Sequence, residues 1–107
     1  MKHWRMDLTP YPITLTGRNT QTGEEVVREN ELLVGKVIAE LLWKVCKWTA
    51  DEAMAVETLS KRFEEANGSI EIDQLEYEYL QRVYRAVRGP GRQLLECLRR
   101  LRDMEEI

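Results

Sequence analysis

Residues 31–47 constrain the fold most. Eleven of these seventeen side chains are apolar: Leu32, Leu33, Val34, Val37, Ile38, Ala39, Leu41, Leu42, Trp43, Val45 and Cys46. At the helical period they cover more than one stripe. The polar edge is narrow, formed by Lys36, Glu40, Lys44 and Lys47. A helix apolar on most sides is central in its domain or shared with a partner subunit. Asn30 is placed to cap it. Nowhere does the chain carry eighteen apolar residues in a row, so no membrane span is expected. The first ten residues lack an apolar signal-peptide core, so no secretion signal is expected either.

The other elements follow from local pattern. Ile13–Thr16 alternates apolar and β-branched polar residues, turn formers fill 17–23, and Glu24–Arg28 returns, which predicts a β-hairpin over about 12–28. Pro10 and Pro12 keep its lead-in extended. A lone hairpin is marginal in water, so it must pack on the helices or lend an edge to another strand or another chain. Thr49 with Glu52 and Asp73 with Glu76 have the form of capping boxes, opening helices over about 50–66 and 74–88. Residues 69–72 alternate and are long enough for a short third strand that could add to the hairpin. A last helix is expected over about 91–105. The expected fold is α+β, mostly α, with the N-terminal hairpin packed on four helices in one domain, 1–107.

No catalytic constellation is present. His3 is the only histidine and lies in a terminus expected to be mobile. No Walker loop, dinucleotide fingerprint, zinc spacing or nucleophile signature occurs, so the chain reads as non-enzymatic, without metal or cofactor. Cys46 and Cys97 match no redox or metal spacing and read as reduced core thiols of a cytoplasmic protein.

The net charge of −3 hides an asymmetry. Residues 1–81 hold nine basic and fifteen acidic side chains, whereas 82–102 hold seven arginines against Glu96 alone. Arginine suits planar, bidentate recognition of phosphate or carboxylate. Helical spacing already pairs Glu78 with Arg82, Glu96 with Arg100 and Arg99 with Asp103. In the middle of the run sits Arg88-Gly89-Pro90-Gly91-Arg92. As a helix corner, Gly89 ends one helix, Pro90 opens the next, and Arg88 caps carbonyls. As an anion cradle, Arg88 and Arg92 converge on backbone N–H groups at the start of the last helix, the glycines admit a ligand, and Tyr84 offers a stacking face. The candidate ligand-binding residues are Tyr84, Arg88, Gly89, Gly91 and Arg92.

The succession Tyr11-Pro12-Ile13-Thr14-Leu15-Thr16, Thr22-Gly23-Glu24-Glu25-Val26, Ile70-Glu71-Ile72 and Arg88-Gly89-Pro90-Gly91-Arg92 resembles the layout of small accessory proteins of tailed phages. The resemblance implies a phage or prophage setting and the host cytoplasm; it assigns no activity and no site residue. Three functions follow as expectations. The first is an oligomeric binder of an anionic small molecule, such as a nucleotide or signalling nucleotide, acting against host defence by sequestration. The second is a protein–protein module, a virion assembly factor or an inhibitor of a host protein. Nucleic-acid binding ranks third, because the chain is acidic overall and no recognition motif precedes the arginines.

Overall fold

The computed structural model describes residues 2–107 and shows an α+β fold with two sheets and four helices. Strand β1 (His3–Asp7) leads into a hairpin of β2 (Tyr11–Arg18) and β3 (Glu25–Leu32). Helices α1 (Val34–Lys44) and α2 (Ala50–Glu65) follow, then β4 (Ser69–Asp73) and α3 (Gln74–Ala86). A 3₁₀ turn (Arg92–Leu94), helix α4 (Leu95–Arg102) and β5 (Glu105–Glu106) complete the chain.

The N-terminus departs from expectation. It is the central strand of an antiparallel sheet ordered β4-β1-β5. The cause is a period-2 pattern: Trp4, Met6 and Leu8 are buried, while His3, Arg5 and Asp7 between them face solvent. Trp4 lies opposite Ile72 and Met6 opposite Ile70, so both strands give one buried face to the helices. Residues 69–73 thus form a third strand, but it pairs with β1 and not with the hairpin. Trp4 also stacks on Tyr77 with ring centroids 4.1 Å apart.

Helix α1 begins at Val34, with Leu33 as its cap residue. Asn30 and Glu31 instead continue β3, where Ile13 and Pro12 lie opposite them. Val34, Ile38 and Leu42 are fully buried against α2, whose Val56, Leu59 and Phe63 are equally enclosed. Gly35 makes that approach possible, because a Cβ there would sit 2.3 Å from the Phe63 carbonyl oxygen. The wide apolar surface of α1 is therefore mostly explained by its central place. Trp43 is the exception: it is 48% exposed, and its indole N–H donates to Ser60 Oγ at 3.3 Å. Both expected capping boxes form, at Thr49/Glu52 and Asp73/Glu76.

At the C-terminus the helix is shorter than its pattern suggests. It stops at Arg102, and Glu105–Glu106 pair with Trp4 and Arg5. Cys97 is buried in α4 and Cys46 is half-buried beyond α1. No helix among the described residues is long and apolar enough to cross a membrane.

The hairpin base packs on the body through Tyr11, Ile13 and Leu32. Farther out, both strands are mostly exposed. The molecule measures 57 × 29 × 23 Å with a radius of gyration of 15.8 Å. A compact chain of this length would have about 13 Å, so the hairpin is an arm. Its turn is closed by Asn19, whose Oδ1 accepts from Gln21 N–H at 2.9 Å, and by Gly23 at φ +72°.

Three carboxylates are held below their ordinary range by fixed partners. Thr9 donates to Asp7, with the Arg100 charge nearby. Thr49 N–H and Arg82 donate to Glu52. Arg102 donates to Asp103. A depressed folded-state pKa contributes stability that is present above the unfolded value, about 4, and lost as pH falls through the folded one. Urea midpoints should therefore hold steady from about pH 7 to 5 and drop below about pH 4. A midpoint that rose on acidification would contradict these pairings.

Candidate functional site

Helix α3 ends at Ala86, with Val87 as cap residue. Arg88 then folds back: its Nη1 donates to the Arg85 carbonyl at 2.6 Å and to the Val87 carbonyl at 3.2 Å. Those carbonyls have no partner within the helix, so a guanidinium there satisfies them and faces the negative end of the dipole. Gly89 turns the chain at φ +56°, a left-handed conformation that side chains resist. Gly91 is extended and its carbonyl accepts from Leu94 N–H at 3.0 Å.

The corner is thus real, and the helical run beyond it opens at Arg92 with Gly91 as its cap residue. Pro90 does not open a helix. Gly91 caps a three-residue 3₁₀ turn, and α4 proper starts only at Leu95. The 3₁₀ turn runs directly into α4, so the N–H groups of Arg92 and Gln93 stand at the start of one continuous helical run.

Arg88 and Arg92 line different clefts. Tyr84, Arg88 and Pro90 line one groove, together with Arg85, Leu98, Arg99 and Arg102. Arg92 faces a second cleft beside the hairpin, with Tyr11, Thr14, Gln93 and Glu96. Leu95 and Arg99 border both and form the ridge between them. Gly89 and Gly91 are exposed and line neither.

The first groove is the stronger site. It is open, encloses about 400 Å³, and has Val87, Pro90, Leu95 and Leu98 as its apolar floor. Four guanidinium-bearing residues surround it: Arg85 on α3, Arg88 just beyond its end, and Arg99 and Arg102 on α4. Arg99 and Arg102 have i,i+3 spacing, which sets both on one face of α4. Across a tight corner the helices run back along each other. Arginines from both sides of the corner therefore line one groove.

Their engagement differs. Among the described residues the Arg85 side chain has no hydrogen-bond or carboxylate partner, and Arg88 meets only carbonyls. Arg99 makes a loose 3.5 Å contact with Glu96. Arg102 is held by Asp103 through two bonds of 2.8 and 2.7 Å, and these, with the Tyr84 hydroxyl beside it, push its pKa up. The groove therefore carries four cations, with Asp103 held closely by Arg102 and Glu96 loosely by Arg99.

The remaining arginines of the run are structural. Arg82 reaches Glu52 at 2.9 Å and lies over the Trp48 ring, 5.1 Å from its centroid, in place of the expected pairing with Glu78. Arg100 donates to the Thr9 carbonyl at 2.6 Å and to Glu96 at 3.2 Å, and it covers Tyr11. Its side chain is only 17% exposed, so it ties α4 to the link between β1 and β2. The expected Glu96–Arg100 pair forms; Asp103 pairs with Arg102 instead of Arg99, because the helix has ended.

Among the described residues no cluster of three or more metal-ligating side chains occurs. No protein-family model, no curated protein and no solved structure matches this chain.

Proposed function

We propose that this chain is a non-enzymatic binding protein for a small anionic ligand, held in the groove between α3 and α4. One observation carries the reading: Arg85 and Arg88, before the corner, and Arg99 and Arg102, on α4, line one apolar-floored groove, and only Arg102 is held closely by a carboxylate, Arg99 touching Glu96 at 3.5 Å. Like charges set together raise the free energy of the empty site, and an anion relieves that repulsion. Arg85 and Arg88 supply the fork geometry suited to phosphate or carboxylate. Leu95, Leu98 and Tyr84 offer a surface for a planar apolar body such as a nucleobase. Small-molecule sites span about 300–1,000 Å³, and this groove lies at the lower end, which favours a ligand of mononucleotide size. In the phage setting that the sequence layout resembles, such a protein would withdraw a nucleotide or signalling nucleotide from the host.

The test is a thermal-shift panel of inorganic phosphate, mononucleotides, cyclic mono- and dinucleotides and ADP-ribose. A ligand at a hundred times its Kd adds about 2.7 kcal/mol. For a domain of this size that moves Tm by on the order of 10 °C. A selective shift that falls as salt rises supports the site. A flat panel removes the small-ligand reading and leaves the protein–protein module, which the projecting hairpin favours.

A further inference from the structure

The hairpin arm has two long edges, and they differ. Asn19 N–H donates to the Glu24 carbonyl across the end of the ribbon at 2.8 Å. In an antiparallel pair, bonded and non-bonded positions alternate. With the observed register, the odd-numbered residues of β2 therefore aim their backbone groups at β3. Pro12, Thr14, Thr16 and Arg18 aim theirs outward. Gln93 Nε2, reaching the Thr14 carbonyl from outside at 3.4 Å, agrees with this. By the same parity the outward positions of β3 are Glu25, Val27, Glu29 and Glu31. Three carboxylates guard that edge against self-pairing. The edge of β2 has no charge between Tyr11 and Gly17.

We infer that a second copy of this chain adds its β2 antiparallel to this edge, giving a four-stranded sheet with the two-fold axis beside Leu15. In that register Thr14 N–H donates to the Thr16 carbonyl of the partner, and the partner's Thr16 N–H donates to the Thr14 carbonyl. A carbonyl accepts two bonds, so Gln93 need not move. Arg18 N–H donates to the partner's Pro12 carbonyl, and Pro12, which has no N–H, falls at the ladder's end where none is required.

Four features unexplained within one chain then acquire a cause. Leu15, 42% exposed, packs on the partner's Leu15 in a close non-bonded pair. Gly17 lies mid-strand with an ordinary φ and open space around its missing Cβ; the partner's Ile13 fills that space. Arg18, Glu29 and Glu31 share one face of the ribbon and have no ion-pair partner among the described residues. Arg18 arrives opposite the partner's Pro12, beside the partner's Glu29 and Glu31. Finally, the cleft of about 700 Å³ beside Thr14 and Thr16 gives the incoming strand its room. The surface lies across the Leu95–Arg99 ridge from the arginine groove and does not depend on a ligand there.

Sedimentation velocity on the full chain should show a species of twice 12.6 kDa that dissociates on dilution. Thr16→Pro removes an N–H that the monomer does not use, and should raise the dimer Kd by at least about tenfold. Should that variant fail to fold, Leu15→Cys provides a second measurement. It should form a reducible dimer in air far faster than Val27→Cys, which is 60% exposed but lies on the other strand and face. A monomer at every concentration, a dimer indifferent to Thr16→Pro, or equal cross-linking of the two cysteine variants would overturn the assignment.

Discussion

Gly35→Ala should unfold this protein at a Tm lower by on the order of 10 °C, even though alanine is the better helix former. The added Cβ would lie 2.3 Å from the Phe63 carbonyl oxygen and 3.3 Å from its carbon. Both are backbone atoms within α2, so no rotamer change relieves the overlap. The helices must separate, and the separation loosens Val34, Ile38 and Phe63, which are fully buried at that contact. Overpacking of this kind costs about 1–3 kcal/mol. Helix propensity returns at most about 1 kcal/mol. A net loss near 2 kcal/mol corresponds, at about 4–8 °C per kcal/mol, to the stated shift. Gly91→Ala is the internal control. Its nearest neighbour would be the flexible end of Gln93 at 3.5 Å, and its φ of −68° suits any residue. Differential scanning calorimetry decides the matter: a Gly35→Ala variant as stable as the wild type would mean that α1 and α2 do not meet through this glycine.

That glycine also shows where sequence reasoning stops. The apolar breadth of residues 31–47 places α1 at the centre, and the structure puts it there. Nothing in the order of residues says that Gly35 is the point of closest approach, since a helix glycine has several possible causes. The two capping boxes were legible because their logic spans only three residues. Strand β1 was equally legible in principle. Trp4, Met6 and Leu8 alternate with His3, Arg5 and Asp7, and only the habit of treating a terminus as a lead-in hides them. The start of α1 was not, because Glu29, Asn30 and Glu31 are poor strand residues. They are held in β3 by pairing with Thr14, Ile13 and Pro12, a non-local term.

The site divides in the same way. The arginine run and the corner were visible as sequence, and Tyr84 and Arg88 do share a groove. Arg85, Arg99 and Arg102 join them because the corner folds α4 back along α3, a long-range contact that spacing along the chain does not reveal. Nearness along the chain alone points to Arg92. The 3₁₀ turn swings it to the other side of the Leu95 ridge, where it faces the hairpin.

This difference between nearness in sequence and nearness in space sets the second large effect. Arg85→Ala should weaken ligand binding by about 10- to 150-fold, the equivalent of one charge-assisted contact worth about 1.5–3 kcal/mol. Its side chain touches no protein partner among the described residues, so folding stability should stay within about 0.5 kcal/mol of wild type. Arg88→Ala should cost binding as well, but with a measurable loss of stability, because Arg88 also satisfies the α3 carbonyls. Arg92→Ala, in the other cleft, should leave affinity within about twofold. Asp103→Asn gives a test of opposite sign. Asp103 occupies two donors of Arg102 and sets a negative charge beside it. Neutralising it frees the fork and removes repulsion, so affinity should rise. Titration calorimetry with whichever nucleotide gives the largest thermal shift measures all four variants. If Arg92→Ala abolished binding while Arg85→Ala and Asp103→Asn did nothing, the ligand would sit against the hairpin, and the α3–α4 groove would be only the inside of a corner.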